Sequence, residues 1–167
     1  MTHLNLTVER IDSSSNAVIT NLFEHYLHDM AEWFHFDTKK DGRYAYDMSP
    51  HWERGDTVYL ARCSGELAGF ALVTSAKPWL QGAEGSDMEE FFVIRHYRRA
   101  GWGELLARTV WARHPGRWLV RVYEGNLPAV PFWRTIIARH TNDTHVEERR
   151  VINGKAWSFF HFNTGSA

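Results

Sequence analysis

Hydrophobic and polar positions change period several times along this chain, and each change marks an element. LNLTVERI (4–11) alternates apolar and polar residues, the period of a half-buried strand. AVITNLFEHYLHDMAEWF (17–34) is apolar at every third or fourth position and predicts a helix, with Asp12-Ser13-Ser14-Ser15-Asn16 ahead of it as N-caps. DTKKDG closes that helix, and RYAYDMSPHWERG (43–55) carries a weaker helical pattern. In DTVYLARCSGELAGFALVTSA (56–76) two β-rich runs flank Ser64-Gly65, which predicts an antiparallel hairpin. KPWLQGAEGSD (77–87) reads as a loop, MEEFFVIR (88–95) as a strand, and GELLARTVWAR (103–113) as a helix stopped by His114-Pro115-Gly116. RWLVRVY (117–123) is a strand and LPAVPFWRTIIAR (127–139) a helix. THVEERRVI (144–152) and KAWSFFHF (155–162) flank Asn153-Gly154, the strongest short hairpin signal in the chain. The order β-α-α-β-β-β-α-β-α-β-β predicts an α/β fold, a mixed sheet with helices on its faces. No repeat or long linker interrupts it, so one domain over 1–167 is expected.

Composition narrows the function classes. Lys+Arg 19 against Asp+Glu 20 leaves a net charge of -1, so no global field draws nucleic acid or an anionic membrane. Eight tryptophans and 14% aromatic residues favour a packed globule with aromatic-walled clefts. The lone Cys63 excludes an internal disulfide and a cysteine-rich metal site. The start, MTHLNLTVER, lacks a basic and then apolar leader, and no window is apolar enough to span a bilayer. A cytoplasmic protein without nucleic-acid or membrane partners is the expectation.

Between the strand at 88–95 and the helix that follows lies Arg98-Arg99-Ala100-Gly101-Trp102-Gly103. The first amides of a helix lack internal partners and sit at the positive end of its dipole, so a small-residue turn there can cradle a phosphate. The same glycines also suit a plain strand-to-helix turn. The spacing fits neither a P-loop nor a dinucleotide fingerprint.

Further along, the chain reads Glu124-Gly125-Asn126-Leu127-Pro128-Ala129-Val130-Pro131-Phe132-Trp133. R-x-x-G-x-G at Arg98, Gly101 and Gly103, followed by N-x-x-A-x-x-F at Asn126, Ala129 and Phe132, resembles the two motifs of the GNAT superfamily of acetyl-CoA-dependent N-acetyltransferases. The likeness is closest over residues 56–137. It implies the GNAT fold: a mostly antiparallel sheet of about six to seven strands, about four flanking helices, and two parallel strands splayed at the cofactor. It further implies that Phe92, Val93 and Ile94 pair through their backbone with the pantetheine arm of acetyl-CoA. By the same likeness, Arg98, Arg99, Ala100, Gly101, Trp102 and Gly103 hold the pyrophosphate. Asn126 binds the pantetheine or shapes the next helix, and Phe132 and Trp133 line the cofactor channel.

The implied reaction is attack by a primary amine, of a small molecule or a peptide, on the thioester carbonyl. Such an amine is mostly protonated at neutral pH, so a general base helps. Family placement of a base on this strand, with the alternation that sets Glu90 on the face of Phe92 and Glu89 on the opposite face, makes Glu90 the candidate; solvent-facing or salt-bridged carboxylates are the other reading of the pair. Where the family carries a Tyr that returns a proton to the thiolate, this chain has Trp133, whose indole supplies none at neutral pH. Tyr123 is the replacement at hand, and a rim aromatic is the other reading of it. Asp29, Glu32 and Trp33, with the loop around Trp79, are expected to receive a cationic amine, although an acidic outer helix face reads the same way. His25, His28 and His35 are spaced loosely enough to admit a metal, but the resemblance requires none and none is expected. The departure at Trp133 keeps a second class in play: a non-catalytic acyl-CoA-binding domain acting as sensor or interaction module. Homodimers are common in the superfamily, and the sequence does not select a surface for one.

Overall fold

The computed structural model describes residues 5–165, so Leu4 of the expected first strand lies outside the described residues. In chain order the elements are β1 Leu6–Ile11, α1 Asn16–Met30, α2 Ser49–Arg54, β2 Thr57–Cys63, β3 Glu66–Ser75, β4 Ser86–Val93, α3 Trp102–Arg113, β5 Gly116–Tyr123, α4 Ala129–Thr141, β6 Val146–Ile152 and β7 Lys155–Thr164. The seven strands form a mixed sheet in the order β1-β2-β3-β4-β5-β7-β6. β1–β2, β5–β7 and β6–β7 are antiparallel, while β4–β5 is parallel. Element order and sheet type agree with the expectation from pattern. Both hairpin turns form where expected, with Ser64, Gly65, Asn153 and Gly154 at positive φ.

Several boundaries differ, three of them for a clear local reason. The first helix ends at Met30 rather than continuing to Phe34, because the ladder tightens to i→i+3 bonds such as Trp33 N–H to Met30 C=O at 3.0 Å. The second helix is confined to Ser49–Arg54. Ahead of it, the Glu24 carboxylate accepts the amides of Tyr44 (2.8 Å) and Ala45 (2.7 Å), and Ala45 sits at φ 52, outside helical geometry. β4 begins at Ser86, two residues early, because Ser86 and Asp87 pair with Trp118 and Leu119.

Packing divides the chain into two compact units, each with its own core. One comprises Met1–Leu72 and Phe91–Gly103, the other Val73–Glu90 and Glu104–Ala167. In the first, Ile19, Leu22 and Phe23 of α1 close over Val58, Leu60, Phe70, Leu72 and Phe92. Phe23 stacks on Tyr46 with ring centroids 4.1 Å apart and meets Phe70 at 4.6 Å. Across α1 these buried positions are spaced three and one apart, the stripe that the periodicity predicts. In the second unit, Trp111 of α3 meets Phe162 of β7 edge-on at 5.1 Å, and Trp118 and Leu119 are fully buried. Three of the eight tryptophans, Trp111, Trp118 and Trp133, are thus buried in core packing, and the other five are half-buried.

Candidate active site

In the first unit the end of β4 is shaped by a close backbone approach. A Cβ on Gly69 would stand 2.1 Å from the Phe92 carbonyl oxygen, so only glycine lets β4 settle this closely on β3. The Ile94 amide then donates to the Ala68 carbonyl at 2.8 Å. Past Ile94 the chain makes one 3-10 turn, Arg95–Tyr97, and a further turn that delivers it to α3 at Trp102. In that turn Arg99 (φ 65) and Gly101 (φ 83) are both left-handed, and open space surrounds Gly101 where a side chain would be. Residues 98–101 thus form an exposed turn leading into the N-terminus of a twelve-residue helix, whose first residues, Trp102 and Gly103, are half-buried.

Arg98 of this loop, and Arg95 in the turn before it, already share a partner. Asp29, in the last turn of α1, accepts from Arg95 through Oδ1 (Nε 3.1 Å, Nη2 2.5 Å) and from Arg98 through Oδ2 (Nη2 2.5 Å). Arg98 also donates from Nε to the Val93 carbonyl at 2.7 Å and lies 5.5 Å above the Phe92 ring. Partial burial works to raise the Asp29 pKa, but the hydrogen bonds and charges of the two guanidinium groups outweigh it and hold the carboxyl below its usual range. Glu32, one turn further on, is exposed and lies close enough to Arg95 to stabilise its charge. Trp33 beside it is half-buried.

In the second unit β4 and β5 part early. Their pairing consists of Ser86↔Trp118 and Asp87↔Leu119, so the strands run unpaired to each other from Met88 and Val120 onward. Immediately at the fork lies a group the sequence reading passed over. Asp87 is 1% exposed; its Oδ2 accepts from Arg121 Nε at 2.9 Å and lies 2.7 Å from Nη2, while Oδ1 is buried without a hydrogen bond. Desolvation dominates over the Arg121 charge, and the pKa is pushed up to about 6, with nearby Glu89 adding to the rise. The Arg121 guanidinium lies 4.3 Å over the Trp79 ring, so the cation Trp79 faces belongs to the chain itself. Glu90, the expected base, is half-buried on the same strand. Asp87 escaped notice because its stretch read as loop; the signal for it was an acidic residue just before an apolar run.

Other expected residues occupy the second unit. Tyr123 closes β5 with its ring laid over Gly125, 5.6 Å from Trp157, and with Lys155 Nζ 4.9 Å above it. Asn126 holds the turn into α4, its amide donating to the Tyr123 carbonyl at 3.0 Å and its carbonyl accepting the Ala129 amide at 3.0 Å. Phe132 is half-buried on the first turn of α4, while Trp133 is 6% exposed and faces Trp111 in the core. An open pocket of about 560 Å³ lies beside α4, lined by Glu124, Leu127, Val130, Arg134 and Arg149 among others, and none of the expected site residues lines it. Among the described residues no group of three His, Cys, Asp or Glu side chains is placed to hold a metal ion. Nor is any described helix long and apolar enough to cross a membrane.

With this geometry in hand, comparison with known proteins is informative. The acetyltransferase (GNAT) family profile matches residues 24–136. No curated protein matches the sequence. Among solved structures, an acetyltransferase of Salmonella typhimurium determined with acetyl-CoA superposes with TM-score 0.64 at 15% identity, over 95% of this chain and 93% of that one. A GNAT-family acetyltransferase of Streptococcus agalactiae gives 0.68 at 12% identity, over 95% and 96% of the two chains. NAA60 of Arabidopsis thaliana in complex with acetyl-CoA gives 0.58 at 16% identity, over 96% and 100%. At these identities the structures speak for the fold, and together with the profile across most of the chain they settle its kinship: the protein belongs to the GNAT acetyltransferase family.

Proposed function

We propose that the protein transfers an acetyl group from acetyl-CoA to a primary amine of a small molecule or peptide. The observation that carries the donor half is the left-handed turn at Arg99 and Gly101 leading into α3. In this reading the amides of 98–103 and the arginine side chains take the pyrophosphate. The backbone of Phe92, Val93 and Ile94 pairs with the pantetheine, and the thioester lies where β4 and β5 part. Asn126, Phe132 and Trp133 are assigned to the same cofactor by the motif alone.

The amine nitrogen attacks the thioester carbonyl; a C–N bond forms, the nitrogen gives up a proton, and the C–S bond breaks to release coenzyme A as its thiolate, which takes up a proton. Two β4 carboxylates compete for the amine proton. Strand alternation and family placement select Glu90; the environment selects Asp87, whose pKa of about 6 suits a base at neutral pH and whose Oδ1 has no other partner. We favour Asp87, acting through water because it is buried. A thiol of ordinary pKa, about 8.5, leaves without obligatory help, and Tyr123 is assigned the optional proton return. For the acceptor, Glu32 and Trp33 at the end of α1 are the proposed contacts. Asp29 and Trp79 have their own arginines to hold and are assigned to positioning instead. The cytoplasm, where acetyl-CoA is made and used, is the proposed location.

The test is thiol release from acetyl-CoA with a panel of polyamines, aminoglycosides, amino acids and peptides. Turnover on any amine supports the enzyme; coenzyme A binding without turnover on all of them supports the binding-module alternative. Calorimetry on Gly101→Glu addresses the cradle, and an unchanged coenzyme A affinity would remove it. Rates and pH profiles of Glu90→Gln and Asp87→Asn separate the two candidate bases.

A further inference from the structure

The sequence offers Asp29 as a carboxylate awaiting an amine, yet in the fold it is already engaged by two cations of its own chain. It is largely shielded from solvent, and its oxygens are taken by Arg98, of the loop that the donor reading assigns to phosphate, and by Arg95 of the turn just before it. Those arginines are themselves exposed, Arg95 at 75% and Arg98 at 39% of the side chain. Left alone, two exposed arginines sample many rotamers, and a ligand that fixes them loses that freedom on binding. Asp29 ties both down from beneath. It uses Nη2 of each, and Nε of Arg95, while the Val93 carbonyl takes Nε of Arg98. Nη1 of each guanidinium is left without a hydrogen-bond partner among the described residues, ready for an anion that need not displace the carboxylate.

We infer that Asp29 is a positioning residue of the donor site: the inner counter-charge that holds Arg95 and Arg98 side by side for the phosphates of coenzyme A. This rests on the donor reading given above. Asp29 touches no reacting atom; it acts through the two arginines. Two opposing effects follow from removing its charge. The net charge of the three-residue cluster rises from +1 to +2, which attracts an anion over distance, while the fixed placement of the guanidinium groups is lost. The first effect is screened at physiological salt, where the Debye length is about 8 Å, and the second is not, so lost placement dominates there. At low salt the attraction recovers part of the deficit.

Calorimetric titration of the whole protein with coenzyme A tests this, using wild type, Asp29→Asn and Asp29→Glu across a salt series, with circular dichroism to verify that each variant is folded. The expected result is about five- to tenfold weaker binding for Asp29→Asn at 0.15 M salt. Its salt dependence is steeper than that of wild type, and Asp29→Glu restores most of the affinity. A side chain that only supports α1 would lose affinity in Asp29→Glu as well, because the longer side chain disturbs its fit there while keeping the charge. If Asp29→Asn, or Asp29→Ser should the first variant not fold, binds as tightly as wild type with the same salt slope, the positioning role is overturned while the donor site stands. If wild type itself does not bind coenzyme A, the donor reading fails first and takes this inference with it.

Discussion

Two aspartates in this protein each hold arginine, and their carboxyl groups shift in opposite directions. Asp29, at the end of α1, faces two guanidinium groups and keeps some contact with water; its pKa is lowered. Asp87, at the fork of β4 and β5, faces one guanidinium from a position that is 1% exposed, and its pKa rises to about 6. For Asp29 the partners outweigh desolvation; for Asp87 desolvation outweighs the partner. A salt bridge in a list of contacts therefore says little about the chemistry of its acid. The same pair of residue types gives a permanent anion that organises neighbours in one place, and a titrating group suited to moving a proton in the other.

The comparison breaks most readily at Asp87. Asp87→Ala strands the Arg121 guanidinium in a site where that side chain is 16% exposed, so a loss of about 3 kcal/mol is expected in denaturant unfolding. Replacing both partners, Asp87→Leu with Arg121→Met, is expected to recover most of that loss, because the cost lies in the unpaired charge rather than in losing the pair. Asp87→Asn keeps the shape and removes the proton acceptor. Turnover on a responsive amine is expected to fall by about 10²-fold or more, whereas Glu90→Gln is expected to change it little.

The same group sets a pH signature. In the wild type, kcat/KM is expected to rise through pH about 6 as Asp87 ionises, and Asp87→Asn should lose that limb. Stability responds with the opposite slope. The folded state binds the Asp87 proton more tightly than the unfolded chain does. Its contribution is complete below the ordinary value of 3.8 and is lost as pH rises to about 6. Unfolding measured across that window in wild type and Asp87→Asn reveals the difference as a change in slope. Equal slopes would show that Asp87 titrates as an ordinary carboxylate.

How these two acids appear from sequence explains what was legible. Order and type of elements followed from period and turn chemistry, because the 3.6- and 2-residue repeats are local. The splay of β4 and β5 and the turn at Arg99 and Gly101 fall where the two motifs indicate. Asp29 drew notice for being acidic among aromatics, but its cations lie 66 and 69 residues away, and one sequence does not distinguish a cation of its own chain from one of a ligand. Trp79 is a like case, since Arg121 of its own chain lies over its ring. Asp87 was hidden in a stretch that read as loop, and its raised pKa comes from burial among strands far apart in sequence. Glu24 shows the converse: by capturing the amides of Tyr44 and Ala45 it dissolves a helix that local pattern supports.

The smallest effect sharpens the contrast from the other side. Asp29→Asn is expected to cost less than about 1 kcal/mol of stability, since its partners are exposed arginines that return to water when released. What it does cost is salt-dependent: unfolding of wild type and variant should converge at 1 M NaCl, where the Debye length is about 3 Å. The pH dependence also runs opposite to that of Asp87. A lowered carboxyl contributes its stability above the ordinary value of 3.8 and loses it as pH falls through the folded value. Between pH 4 and 6, where the Asp87 contribution changes, that of Asp29 stays level. Denaturant midpoints for both single variants across this window test the pair directly. A large, salt-insensitive loss in Asp29→Asn would mean that α1 depends on this carboxylate as a buried structural ion. The two aspartates would then differ only in degree.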